Sequence, residues 1–133
     1  MKRENLFYLL ILLTILISRF AIMIWPEIDI KVFGMIIHHF WFGIVLVIGG
    51  FIIPKSAHYP KLLLYGIGAG LIIDQLIFIM LGAGKDKEYW SIYSLLGTLI
   101  IVSIIYPFRM KLINFLALNR KDRTKFSFQH NFT

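Results

Sequence analysis

Four apolar blocks, each about as long as a bilayer is deep, constrain this chain more than any other feature: Leu6 to Trp25, Gly34 to Ile53, Leu62 to Gly82 and Tyr89 to Tyr106. A helix needs about 20 residues to cross a hydrocarbon layer of about 30 Å, and each block is close to that length. Helices satisfy every backbone hydrogen bond within the segment, and the period-two alternation of a membrane barrel strand is absent. The expected fold is therefore all-α and polytopic. Residues 1–118 form one domain of four transmembrane helices (6–25, 34–53, 62–82 and 89–106) in an antiparallel bundle. Pro107 is expected to end or kink the last span, and an amphipathic segment at 107–118 to lie on the inner surface as a short interfacial helix. Residues 119–133 are polar and basic, and are expected to form a disordered tail.

Charge placement predicts the topology. The net charge of +7 could suggest a nucleic-acid binder, but the positions of the basic residues matter more than their sum. With the N-terminus inside, the inner segments hold Lys2, Arg3, Lys55, Lys61, Arg109, Lys111, Arg120, Lys121, Arg123 and Lys125, against Lys31, Lys85 and Lys87 outside. This is the positive-inside pattern. Both termini are expected in the cytoplasm, with the bilayer as partner and the basic C-terminal segment against anionic inner-leaflet headgroups. Nucleic acid is not expected as a partner. The first block is read as a retained span, because it ends in Trp25-Pro26 without a small-residue cleavage pattern. The chain has no cysteine, which excludes disulfides and thiolate metal sites.

The third block carries Gly66, Gly68 and Gly70 and then Asp74-Gln75. Helical spacing puts Gly66, Gly70 and Asp74 on one face. Glycines on a spanning helix mark where another backbone comes close, so Asp74 is expected to face protein. A carboxylate at that depth costs about 2.5–3.5 kcal/mol on insertion scales, which makes it a candidate for a functional role. Gly43, Gly50 and Gly97 are expected to serve helix packing in the same way. In the second block His39 shares a stripe with Gly43 and Gly50, whereas His38 shares one with Gly34 and Phe42, so His39 is expected to point inward.

Counted from the outer boundaries at about 1.5 Å per residue, Arg19, His39, Asp74 and Ser94 fall in one layer about 9–12 Å deep. Each comes from a different block. His38, Gln75, Ser91 and Tyr93 lie within about a turn of that layer. Arg19, His39 and Asp74 are the candidate catalytic residues. His39 and His38 with Asp74 and Glu88 are the candidate ligands for a divalent metal such as zinc, and Gln75, Ser91, Tyr93 and Ser94 are the supporting polar groups.

Three functions fit these residues. In one, Arg19 and Asp74 neutralise each other and the protein serves as a structural, binding or assembly partner; this is the leading reading. In another, a metal held by the histidines and Asp74 activates water against a lipid-like or phosphate-bearing substrate steadied by Arg19. Against it, no HExxH or multi-histidine run is present. In the third, Asp74 and His39 exchange protons during ion or solute transport, which with four spans calls for a homodimer, one seam for which is the Gly66 and Gly70 face.

Overall fold

A computed structural model describes residues 1–25, 30–33, 35–82 and 89–116. Among them are four helices: α1 (Arg3–Ile24), α2 (His39–Ile52), α3 (His58–Met80) and α4 (Ile92–Phe115). Three of these, α1, α3 and α4, are long and apolar enough to cross a membrane. The remaining helix, α2, is apolar but shorter.

Helix α3 is central. It packs against α1, α2 and α4, and α1 and α4 also meet. Its glycines explain the fit. A Cβ on Gly68 would come within 2.8 Å of the Gly43 carbonyl oxygen on α2, one on Gly66 within 2.7 Å of Leu10, and one on Gly70 within 2.6 Å of Thr14 on α1. Gly50 makes room for the Tyr65 ring, and Gly97 for Ile77. The Gly66 and Gly70 face is thus covered by α1 of the same chain, which leaves no room there for a second copy.

The buried face of α1 runs through Phe7, Ile11, Ile15 and Arg19, each four residues after the last. On α4 the corresponding stripe is Ser94, Thr98 and Val102. The interior is consequently graded. Phe7, Ile11, Leu62, Tyr65, Val102 and Ile113 fill one end, and Arg19, Asp74, Gln75, Ser94 and Thr98 are buried toward the other.

The larger departures from the expected boundaries are at the start of the second helix and the end of the fourth. The second helix begins at His39, not Gly34, because the chain before it forms an antiparallel hairpin of β1 (Ile30–Val32) and β2 (Met35–Ile37). Val32 pairs with Met35, so the loop is two residues long, and Phe33 takes the left-handed φ of 51° that such tight hairpins use. β-branched Ile30, Val32, Ile36 and Ile37 suit extended backbone, and their apolar character had merged with the helix in the sequence pattern. Helix α4 runs on through Pro107 to Phe115, so the segment after the proline is the end of that helix instead of a separate interfacial one. Residues 117–133, the expected tail included, lie outside the described residues.

Candidate functional site

Asp74 is the centre of a polar cluster drawn from all four described helices. It has no exposed surface. Arg19 Nε donates to Asp74 Oδ1 at 2.8 Å, and the Tyr89 hydroxyl donates to Oδ2 at 2.5 Å. The far end of the guanidinium turns to α4, where Nη2 donates to Thr98 Oγ1 at 3.0 Å and reaches Ser94 Oγ at 3.4 Å. Nη1 lies 3.5 Å from the Tyr89 carbonyl oxygen. The Tyr89 ring also lies under the guanidinium, 4.8 Å from its central carbon, an arrangement in which the ring face attracts the cation.

This position follows from the sequence of α1. A residue four after Ile15 continues the buried stripe, so Arg19 must enter the interior with the apolar residues that precede it. Its planar fork of donors is well suited to hold one carboxylate and two hydroxyls at once. A buried ion pair is stabilised only when the remaining donors and acceptors are also engaged. Here they are: Asp74 receives one hydrogen bond on each oxygen, and Arg19 donates from Nε and Nη2.

Beside this core lies a second set of contacts between α2 and α3. The backbone N–H of Phe40 donates to Gln75 Oε1 at 3.0 Å, and Gln75 Nε2 lies 3.1 Å from His39 Nδ1. An N–H can only donate, so the amide oxygen must face Phe40 and the amide NH2 must face His39. Gln75 therefore caps the first turn of α2, whose N–H groups have no carbonyl four residues back within the helix. With Nδ1 accepting from Gln75, a neutral His39 carries its proton on Nε2. That atom is buried, makes no hydrogen bond among the described residues, and stands 3.5 Å from Asp74 Oδ2.

Of the residues singled out in the sequence, Arg19, His39, Asp74, Gln75 and Ser94 come together. His39 does so from the first residue of α2, not from a full turn and a half inside it. Ser91 stands apart as the N-cap of α4, its Oγ accepting from the Ser94 N–H at 3.2 Å. Tyr93 turns away and is 72% exposed, because it sits about 100° around α4 from Ser94. His38 packs its ring edge-on against Phe78, at 5.8 Å between centroids, instead of joining the hydrogen bonds around Asp74. Glu88 lies outside the described residues.

Among the described residues no three His, Asp or Glu side chains gather as a metal site would require. Both Asp74 oxygens are engaged, and a guanidinium stands where a cation would bind. Two members were not expected. Thr98 lies four residues after Ser94 and so shares its face of the helix. Tyr89, 3% exposed, opens the fourth apolar block, and no spacing within one span shows that it meets Asp74 on another. No protein family, curated protein or solved structure matches the chain.

Proposed function

We propose that this is a small integral membrane protein whose Arg19–Asp74 pair is a structural lock between spans, and that it acts as a binding or assembly partner in the bilayer. One observation carries the reading: the Asp74 carboxylate is wholly enclosed, with Arg19 on one oxygen and Tyr89 on the other. A carboxylate so engaged is spent on holding helices together. The outward faces support a lipid surrounding, since Leu16, Ile17 and Phe20 on α1 and Leu99, Ile100 and Ile104 on α4 are all exposed. Solvated chains of this size rarely leave so many large apolar side chains uncovered.

The cluster draws on the last turns of α1 and α3 and the first turns of α2 and α4, which supports an up-and-down antiparallel order. Together with the inner bias of Lys and Arg, it supports cytoplasmic termini and a polar layer toward the outer leaflet. At about 1.5 Å per residue the 14 residues of α2 span about 21 Å, less than the full hydrocarbon depth. The hairpin before it would then sit near the outer interface.

The lock is tested by a double-mutant cycle in detergent or nanodiscs. Asp74→Leu or Arg19→Leu alone leaves one buried charge uncompensated and should cost about 3–5 kcal/mol. The double variant should recover most of that loss. Additive losses would overturn the lock.

A further inference from the structure

We infer that His39 is a proton-binding site whose occupancy decides whether the start of α2 stays tied to α3. The inference goes beyond the Arg19–Asp74 lock and does not depend on it. It rests on three contacts described above: Phe40 N–H to Gln75 Oε1 at 3.0 Å, Gln75 Nε2 to His39 Nδ1 at 3.1 Å, and His39 Nε2 at 3.5 Å from Asp74 Oδ2.

Neutral imidazole satisfies this chain of contacts in a single arrangement, with the proton on Nε2 and the lone pair of Nδ1 toward Gln75. An arriving proton can bind only at Nδ1. It then meets the Gln75 NH2, and two donors face each other. Turning the Gln75 amide over relieves His39 but presents NH2 to the Phe40 N–H, which is again donor against donor. Whichever way the amide turns, one of its two hydrogen bonds is lost. The imidazolium is at the same time attracted to Asp74, so the proton has a stabilising partner on one side and breaks a tie on the other.

His39 is placed for this exchange. Its side chain is 27% exposed although Nε2 is buried, so a proton can reach the ring without opening the Asp74 centre. The charged and titratable groups that face it are Arg19 from α1, Asp74 from α3 and Tyr89 ahead of α4, whose ring is 6.5 Å from the His39 ring between centroids. His38, the residue before α2, packs its ring against Phe78. Arg19 already neutralises Asp74, and Tyr89 already donates to the oxygen nearer His39. Protonation of His39 thus leaves the Arg19 lock in place and acts on the Gln75 tie. The consequence is a local loosening of the first turn of α2.

The test uses the full chain in nanodiscs and follows hydrogen exchange at the Phe40 amide from pH 8 to pH 5, corrected for the intrinsic pH dependence of exchange. Imidazole 15N shifts give the tautomer of His39. The expected result is an Nε2–H tautomer at pH 8 and at least a tenfold loss of Phe40 protection by pH 5. His39→Phe keeps the Gln75 cap and should hold Phe40 protection level across that range. Gln75→Leu should leave Phe40 unprotected throughout. An Nδ1–H tautomer at pH 8, a level wild-type profile, or an unaltered pH response in His39→Phe would overturn the inference. None of these outcomes bears on the double-leucine cycle, so the two proposals fail separately.

Discussion

Gly43 and Gly68 face each other so closely that a Cβ on either would lie 2.8 Å from the other's carbonyl oxygen. The contact is reciprocal and involves backbone on both sides, so neither helix can yield by turning a side chain. Gly68→Ala or Gly43→Ala should therefore push α2 off α3 and cost about 1–3 kcal/mol of stability. Gly49, nearly two turns further along α2, has only Leu64 at 4.0 Å in the direction of a Cβ. Gly49→Ala should be neutral or stabilising by up to about 1 kcal/mol, because glycine is the poorer helix former. Thermal unfolding of the three variants in one detergent measures the contrast.

Tyr89→Phe removes the hydroxyl from Asp74 while keeping the ring under Arg19. Hydrogen bonds to charged groups contribute about 1.5–3 kcal/mol, and a loss of that size is expected. Tyr89→Leu also removes the aromatic face and should cost more. Equal stability of the phenylalanine variant and the wild type would show that Asp74 does not depend on the hydroxyl.

Thr98→Val preserves shape and deletes the acceptor 3.0 Å from Arg19 Nη2. The remaining contact on that nitrogen is Ser94 Oγ at 3.4 Å, so the donor is left poorly satisfied. A loss of about 1–3 kcal/mol is expected. Ser103 lies farther along α4, is exposed, and returns its hydroxyl to the Leu99 carbonyl of its own helix at 2.8 Å. Ser103→Ala should change stability by less than about 0.5 kcal/mol.

The absence of native cysteine makes topology directly measurable by single-cysteine labelling. Ser56→Cys, in the exposed connection between α2 and α3, should react with impermeant maleimide only from the cytoplasmic side. Phe33→Cys, at the 98% exposed hairpin turn, should react only from the opposite side. Labelling of both from the same face would rule out an up-and-down order.

Much of the cluster was legible because helices impose a period. Arg19 was legible by its depth below the outer end of its block, and the glycines before Asp74 indicate a close neighbour; that Arg19 shares a buried face with Phe7, Ile11 and Ile15 is shown by the structure alone, because α1 is apolar on nearly every side. The stripe of Ser94 and Thr98 follows the helical period. What could not be read was anything set by a connection between helices. The hairpin at residues 30–37 is short, and its apolar strands resemble the start of a helix, so the depth assigned to His39 was counted from the wrong boundary. Tyr89 stands ahead of α4, separated from it by the turn at Trp90 and Ser91, so the period of α4 does not carry back to fix its direction. Gln75 was visible as a polar neighbour of Asp74. Its task as a cap for α2 depends on where that helix begins, which the apolar pattern concealed.

The ion pair also has a consequence for how the chain is made. Asp74 follows Arg19 by 55 positions, so the first helix leaves the ribosome carrying a positive charge whose neutraliser has yet to be synthesised. Until the third helix emerges, that arginine has only water or a lipid headgroup to satisfy it. The first helix can therefore take its final seat only after the third has arrived, and the order of assembly is written into the distance between two residues.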